Sequence, residues 1–88
     1  MQIYKYPLKL KASHTVELPQ GAKILSVQEQ NDAVFFWALV DPELKTSDFH
    51  FQCFNTGYPC IPDELGDFVA TIEEGEAKHI WHIFVQEL

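Results

Sequence analysis

Histidines, cysteines and carboxylates are the residues of this 88-residue chain that could do acid–base or metal chemistry. His79 and His82 stand three positions apart in a stretch that alternates like a β-strand. Residues three apart on a strand point to opposite faces, so these two imidazoles do not converge on one metal ion. We interpret them as two separate surface or interface histidines, and His50 as a residue on a solvent-facing strand surface.

The two cysteines, Cys53 and Cys60, do not form a metal-binding or catalytic pattern. They are seven positions apart, and no second pair completes a zinc site. A nucleophilic thiol needs a neighbouring base and oxyanion donors, which the sequence does not place beside Cys60. Reduced thiols are the expectation, with a disulfide across the turn at 55–59 as the disfavoured alternative. Phosphate-loop, serine-hydrolase and zinc-protease motifs are missing as well, so we predict no enzymatic activity and no cofactor.

Carboxylates outnumber cations, and their distribution along the chain is uneven. Thirteen acids face six lysines without any arginine, for a net charge of −7. Residues 1–23 hold four lysines and one glutamate (+3), whereas residues 24–88 hold two lysines and twelve acids (−10). The acidic turns lack the spacing of a calcium-binding EF-hand. They are interpreted either as a solvated surface or as a binding site for a protein with a basic surface. The candidate partner-binding residues are Asp63, Glu64, Asp67, Glu73, Glu74 and Glu76.

Charge and hydropathy argue against two classes of partner. Direct nucleic-acid binding normally requires a basic footprint, which this chain lacks. No apolar run approaches the roughly 18 residues of a membrane span. Residues 1–10 lack the basic start, apolar core and cleavage site of a signal peptide. We therefore predict a cytoplasmic protein that binds neither nucleic acid nor membrane directly.

Period-2 alternation predicts the elements that must position these residues. Pro7 cannot donate to a strand ladder, so the first strand is expected at a sheet edge. Helical turns are expected only at 42–45 and 63–66. The pattern predicts one all-β domain over 1–88, an antiparallel sandwich or partly open barrel of about six to seven strands. The predicted strands cover 2–10, 14–18, 22–30, 33–40, 48–54, 67–73 and 77–86.

The strand at 33–40 is apolar on both faces, which is typical of a central strand or of an interface. Asn31-Asp32 is a polar pair suited to a tight turn between this strand and 22–30, so the two form a predicted hairpin. Alternation places Leu25 and Val27 on one face of 22–30. It also places Phe68 on the same face as Ala70 and Ile72.

Several segments spread over nearly the whole chain resemble a family of small uncharacterised proteins of bacteriophages and prophages. The resemblance implies a phage-derived all-β domain and brings no catalytic residues. This chain departs from the family pattern at Asn31-Asp32, where a glycine-containing turn would be expected. The segments that carry the resemblance are Met1–Leu8, Leu18–Gln28, Trp37–Asp41, Thr56–Pro59 and Ile80–Phe84.

Charge and resemblance together suggest a non-catalytic viral protein that binds and inhibits a host protein. Phage genomes encode small acidic inhibitors of this kind, including anti-CRISPR proteins that act on host-defence complexes in the host cytoplasm. The alternative is a structural or assembly role, as a virion accessory protein, homodimer or larger oligomer, motivated by the doubly apolar strand at 33–40. A small-ligand barrel or weak enzyme is a third hypothesis, which needs convergent polar groups in a cavity.

Overall fold

The computed structural model describes residues 1–88 as two packed antiparallel sheets. The prediction of a small all-β sandwich is confirmed, and the sheets do not close into a barrel. One 3-10 turn, Pro62–Glu64, is the only helical segment. No helix of the structure is therefore long and apolar enough to cross a membrane. The strands are β1 (Gln2–Pro7), β2 (Ser13–Pro19), β3 (Lys23–Gln30), β4 (Ala33–Val40), β5 (Thr46–Asn55), β6 (Asp67–Glu74) and β7 (His79–Glu87).

Sheet A has the strand order β1-β4-β3, and sheet B has the order β2-β5-β7-β6. β1 lies at an edge, as Pro7 predicts. β4 is the central strand of sheet A, and its inner-face residues are buried while those of its outer face are only half-buried. β3 also packs against β6, so this pair of edges joins the two sheets along one side. The edges β1 and β2 border the other side of the sandwich.

The core lies between the inner faces of the two sheets. Phe36 of β4 and Phe51 of β5 are both fully buried, with ring centroids 4.9 Å apart across the sheet interface. Cross-sheet aromatic packing of this kind supplies a large share of the burial in a domain of this size. The other core residues are Leu8, Leu18, Val27, Val34, Ala38, Val40, Phe49, Cys53 and Ile83.

The hairpin of β3 and β4 turns at Asn31 and Asp32, where sequence analysis placed it. Both residues have positive φ, 52° and 67°, and Gln30 pairs directly with Ala33. Two consecutive residues with positive φ are the signature of a two-residue type I′ turn, which matches the twist of antiparallel strands. Asn and Asp tolerate this conformation better than most residues, so the hairpin forms without the expected glycine.

Two predicted strand faces are wrong because each strand contains a β-bulge. In β3 the register shifts between Ile24 and Ser26, so Leu25 is 44% exposed while Val27 is buried. In β6 it shifts between Phe68 and Ala70, and Phe68 is 59% exposed. An extra residue in one strand reverses the alternation beyond it. Both apolar side chains therefore point away from the faces that simple alternation assigns.

The helical turn expected at 42–45 is a tight turn closed by Asp41. The Asp41 carbonyl accepts a hydrogen bond from the Leu44 amide at 3.1 Å, and its carboxylate accepts one from the Glu43 amide at 3.1 Å. Asp can satisfy nearby amides in this way and so stabilise a turn instead of a helix. The second expected helical turn, at 63–66, is confirmed in part as the 3-10 turn Pro62–Glu64.

Candidate functional site

The six predicted partner-binding carboxylates fall into two groups at opposite ends of β6. Asp63 and Glu64 lie in the 3-10 turn, and Asp67 is the first residue of β6. Glu73 and Glu74 end the strand, and Glu76 follows in the β6–β7 turn. A strand rises by about 3.3 Å per residue, so the two ends of β6 are roughly 20 Å apart. The structure thus spreads the predicted site along an edge strand and does not gather it into one cluster.

The β6–β7 turn brings in a carboxylate that sequence analysis missed. Glu29, from the end of β3, accepts a hydrogen bond from the Gly75 amide at 2.9 Å. Gly75 has a φ of 76° and shapes the turn between the neighbouring acids. We call this group the acidic tip: Glu29, Glu73, Glu74 and Glu76. No local sequence signal marks Glu29, because only the packing of β3 against β6 places it there.

The side chains of the acidic tip face different directions. Glu74 lies at the rim of the inner face, where the Trp81 indole nitrogen donates to it at 3.4 Å. Glu73 is exposed and lies 4.0 Å from the Lys78 ammonium. This is the single ion pair in the chain, and both side chains are more than half exposed. Four carboxylates beside one ammonium give the acidic tip a net negative charge.

The second acidic group lies around the loop that precedes β6, and hydrogen bonds to β5 hold this loop in place. Gln52 of β5 is buried, and its amide nitrogen donates to the Glu64 carbonyl at 2.8 Å. Its amide oxygen accepts from the Gly66 amide at 2.9 Å. Gln52 shares the face of β5 that carries His50, and the loop that folds over this face buries it. The Asp63 and Glu64 side chains remain exposed to solvent on this loop.

Glu87 is a further carboxylate that sequence analysis missed, and its hydrogen bonds connect the end of β7 to neighbouring elements. It accepts hydrogen bonds from the Gly21 amide at 3.1 Å and from the Ser47 hydroxyl. These two bonds, the Ser47 one first, hold the pKa of Glu87 below its ordinary value. The carboxylate therefore links β7 to the β2–β3 turn and to the start of β5, and it is not free for a partner.

The histidine and cysteine side chains do not converge on a reactive centre. His82 lies between two hydroxyls, with Thr56 Oγ1 at 2.7 Å and Thr71 Oγ1 at 3.0 Å from its ring nitrogens. Cys53 and Cys60 are both free thiols. Burial raises the pKa of Cys53 to about 11, so its thiol is protonated at neutral pH. No group of three or more His, Cys, Asp and Glu side chains is placed to hold a metal ion.

The outer face of sheet A carries an apolar surface that the second sheet does not cover. Phe35 and Trp37 of β4 are half-buried there, and the Lys5 ammonium lies 4.1 Å and 5.6 Å from their ring centroids. Ile3 is 60% exposed, and Leu25 is 44% exposed. We call these residues, together with Leu39, the sheet A outer patch.

Comparison with known proteins gives one match, and it covers the whole chain. A family model described as "Domain of unknown function (DUF7352)" matches residues 1–88. No curated protein and no solved structure matches the chain. The chain belongs to the family of domains of unknown function DUF7352.

Proposed function

We propose that this domain is a non-catalytic protein-binding module whose acidic tip contacts a basic surface on its partner. The observation that carries the proposal is that Glu29 of β3 reaches the turn that bears Glu73, Glu74 and Glu76, so that four carboxylates lie at one end of the sandwich with only Lys78 beside them. Uncompensated charge of one sign steers a partner of the opposite sign and increases its rate of association.

The chemistry of the other reactive groups supports a binding role over catalysis. The Cys53 thiol is buried and protonated at neutral pH. The ring nitrogens of His82 are both engaged by threonine hydroxyls. A general base or nucleophile needs a free lone pair directed toward a substrate. Glu73 and Glu76 of the acidic tip, by contrast, present their carboxylates to solvent.

The identity of the partner follows from the phage resemblance rather than from the geometry. We propose a basic protein in the cytoplasm of a host cell, for which a CRISPR-type defence complex is the specific prediction. Such complexes hold nucleic acid in basic grooves, and a carboxylate cluster could occupy a groove of that kind by mimicking phosphates. On this proposal the phage protein itself makes no direct contact with nucleic acid or membrane.

Neutralising the two exposed carboxylates of the acidic tip that have no structural hydrogen bond should weaken capture of the partner. We expect Glu73→Gln/Glu76→Gln to weaken binding by roughly 10- to 100-fold, equivalent to about 1.4–2.8 kcal/mol. Both side chains are exposed, and Glu29 and Glu74 keep their structural hydrogen bonds. The measurement is a low-salt pull-down from host lysate, followed by titration of the captured protein against each variant.

The matched control is Glu17→Gln/Glu43→Gln, which removes the same charge from exposed positions away from β6. This control should retain the partner, and added salt should release it from both wild type and control. Equal binding by the tip variant and the control would contradict a role for the acidic tip. Capture that survives high salt would contradict an electrostatic interface.

Self-association through the sheet A outer patch is a second candidate function, and it corresponds to the assembly hypothesis. The patch combines aromatic side chains with exposed Ile3 and Leu25. Apolar surfaces of this kind on small domains mark protein interfaces. Two copies meeting face to face would cover the apolar face of β4 that sheet B does not reach.

A sedimentation experiment tests this second candidate. We expect wild-type protein to form dimers at high concentration, because dimerisation would bury the exposed side chains of the patch. Leu25→Ser should shift the equilibrium to monomer, whereas Leu44→Ser, also at an exposed leucine but outside the patch, should not. A strictly monomeric profile for the wild type would exclude the self-association candidate.

A further inference from the structure

A cleft separates β1 and β2, the edge strands of the two sheets. Its volume is about 390 Å³, which falls in the range of small-molecule sites. β1 and β2 are not hydrogen-bonded to each other, so the sandwich is open along this side. The walls combine an aromatic ring, a hydroxyl and charged groups. The lining residues that matter here are Tyr6, Lys9, Lys11, His14, Thr15 and Glu17.

The cleft is cationic although the protein as a whole carries a charge of −7. Lys9 and Lys11 supply two ammonium groups from the loop between β1 and β2, and Glu17 is the only acid in the lining. Neither lysine forms an ion pair, because the single pair in the chain is between Lys78 and Glu73. Two unpaired cations beside a cavity form a natural place for an anion.

The loop that carries the two lysines is fixed at several points. The Leu8 amide donates to the Val34 carbonyl at 2.9 Å, and the Cys53 amide donates to the Ala12 carbonyl at 3.2 Å. The Cys53 thiol also approaches the Lys9 carbonyl at 3.9 Å. Binding an anion here would not require the backbone to become ordered first, which lowers the entropic cost of binding.

His14 lies beneath the cleft with both ring nitrogens buried and without a hydrogen-bond partner. Its ring stacks on Phe51 at 5.6 Å. A buried polar group without a partner destabilises the folded state. Burial lowers the pKa of His14, as do the nearby charges of Lys9, Lys11 and His50. An anion in the cleft would offset those charges and favour protonation of the ring.

We infer that the cleft between β1 and β2 binds a small phosphate monoester, with Lys9 and Lys11 as its cationic ligands. A dianionic phosphate matches two ammonium groups better than a single carboxylate does. The cleft is larger than a phosphate group needs, so the space beside Tyr6 accommodates an organic substituent. The ring nitrogens of His14 are closed to solvent, so the ring responds to a bound anion through the electrostatic field and not by direct contact, and Thr15 offers a hydroxyl at the wall.

An NMR titration of the full chain tests the inference, with inorganic phosphate and phenyl phosphate as probes at constant ionic strength. We expect saturable shifts at Lys9, Lys11, His14 and Thr15, and tighter binding of phenyl phosphate. Lys9→Gln/Lys11→Gln should weaken binding at least tenfold. Lys45→Gln/Lys78→Gln, which removes the same charge from lysines outside the cleft, should leave it unchanged.

The change in the pKa of His14 on adding phosphate distinguishes binding in the cleft from a nonspecific ionic effect. Saturating phosphate should raise the pKa of His14 in the wild type and leave it unaltered in Lys9→Gln/Lys11→Gln. The other charged or titratable groups facing His14, namely His50, Tyr6 and Glu17, are the same in both proteins. Shifts that do not saturate, equal shifts with chloride, or full binding by Lys9→Gln/Lys11→Gln would overturn the inference. Weaker binding of phenyl phosphate than of inorganic phosphate would overturn the assignment of a monoester.

Discussion

Replacing Phe36 with alanine is expected to lower the free energy of unfolding by about 3–5 kcal/mol. Phe36 is fully buried in β4 and contacts two other rings, Tyr6 at 5.1 Å and Phe51 at 4.9 Å. The first contact lies within sheet A, and the second crosses to sheet B. Truncation therefore leaves a cavity at the point where the sheets meet, and neither sheet can close it alone.

The expected loss is large relative to the total stability. Domains have roughly 0.05–0.15 kcal/mol of stability per residue, which gives about 4–13 kcal/mol for a chain of 88 residues. Phe36→Ala should therefore unfold at a clearly lower urea concentration than the wild type, and it is partly unfolded without denaturant if the wild-type stability lies near the lower end of that range. Urea unfolding followed by tryptophan fluorescence measures the change, and Trp37 and Trp81 serve as probes in the two sheets.

Phe68→Ala is the matched control, because it makes the same substitution at an exposed ring. Phe68 is 59% exposed and contacts Phe84 edge-on at 5.6 Å. We expect this variant to lose about 1 kcal/mol or less, since little apolar area returns to water. Similar losses for the two variants would mean that the interior contact between the sheets is not what stabilises the domain.

Replacing Gly66 with alanine is the second large effect that we expect, at about 3 kcal/mol. A Cβ at Gly66 would overlap the Val85 carbonyl oxygen and would lie 2.6 Å from the Val85 carbonyl carbon. Backbone cannot rotate away as a side chain can, so the loop must move off β7. That movement would break the hydrogen bond from the Gly66 amide to buried Gln52.

Gly57→Ala separates this steric effect from the ordinary cost of losing a glycine. Gly57 has a φ of 86°, and a Cβ there would contact nothing within 4 Å. We expect only the strain of a left-handed alanine, about 1–2 kcal/mol. Hydrogen exchange should show faster exchange of the Gly66 amide and its neighbours in Gly66→Ala alone. A larger loss in Gly57→Ala than in Gly66→Ala would contradict this explanation.

Much of the fold is predictable from local alternation, because most strands here have one face in the core and one outside. The central position of β4 follows from its two apolar faces, and the edge position of β1 follows from Pro7. The bulges between Ile24 and Ser26 and between Phe68 and Ala70 are not predictable in this way. An inserted residue changes which face is buried without changing the local pattern of apolar residues.

The candidate sites are also only partly predictable from local sequence, because residues that are distant in the chain form them. Most of the acidic tip is visible as a charged turn in the sequence, but Glu29 is distant in the chain and joins it only through sheet packing. The cleft beside His14 is invisible in the sequence for a related reason. His14 alternates with Val16 and Leu18 as an inward residue should, and only the separation of β1 from β2 creates space above it.

The position of β7 between β5 and β6 has a consequence for how the chain folds during synthesis. β1, β3 and β4 have all been translated by residue 40, so sheet A can pair early. Sheet B cannot, because its second central strand ends at Glu87. Until β7 is available, a complete sheet B cannot cover the inner face of the β3–β4 hairpin. β5 and β6 also lack β7 as their hydrogen-bonded neighbour. Unpaired edges and exposed apolar faces promote aggregation, so the nascent chain is most vulnerable just before β7 leaves the ribosome.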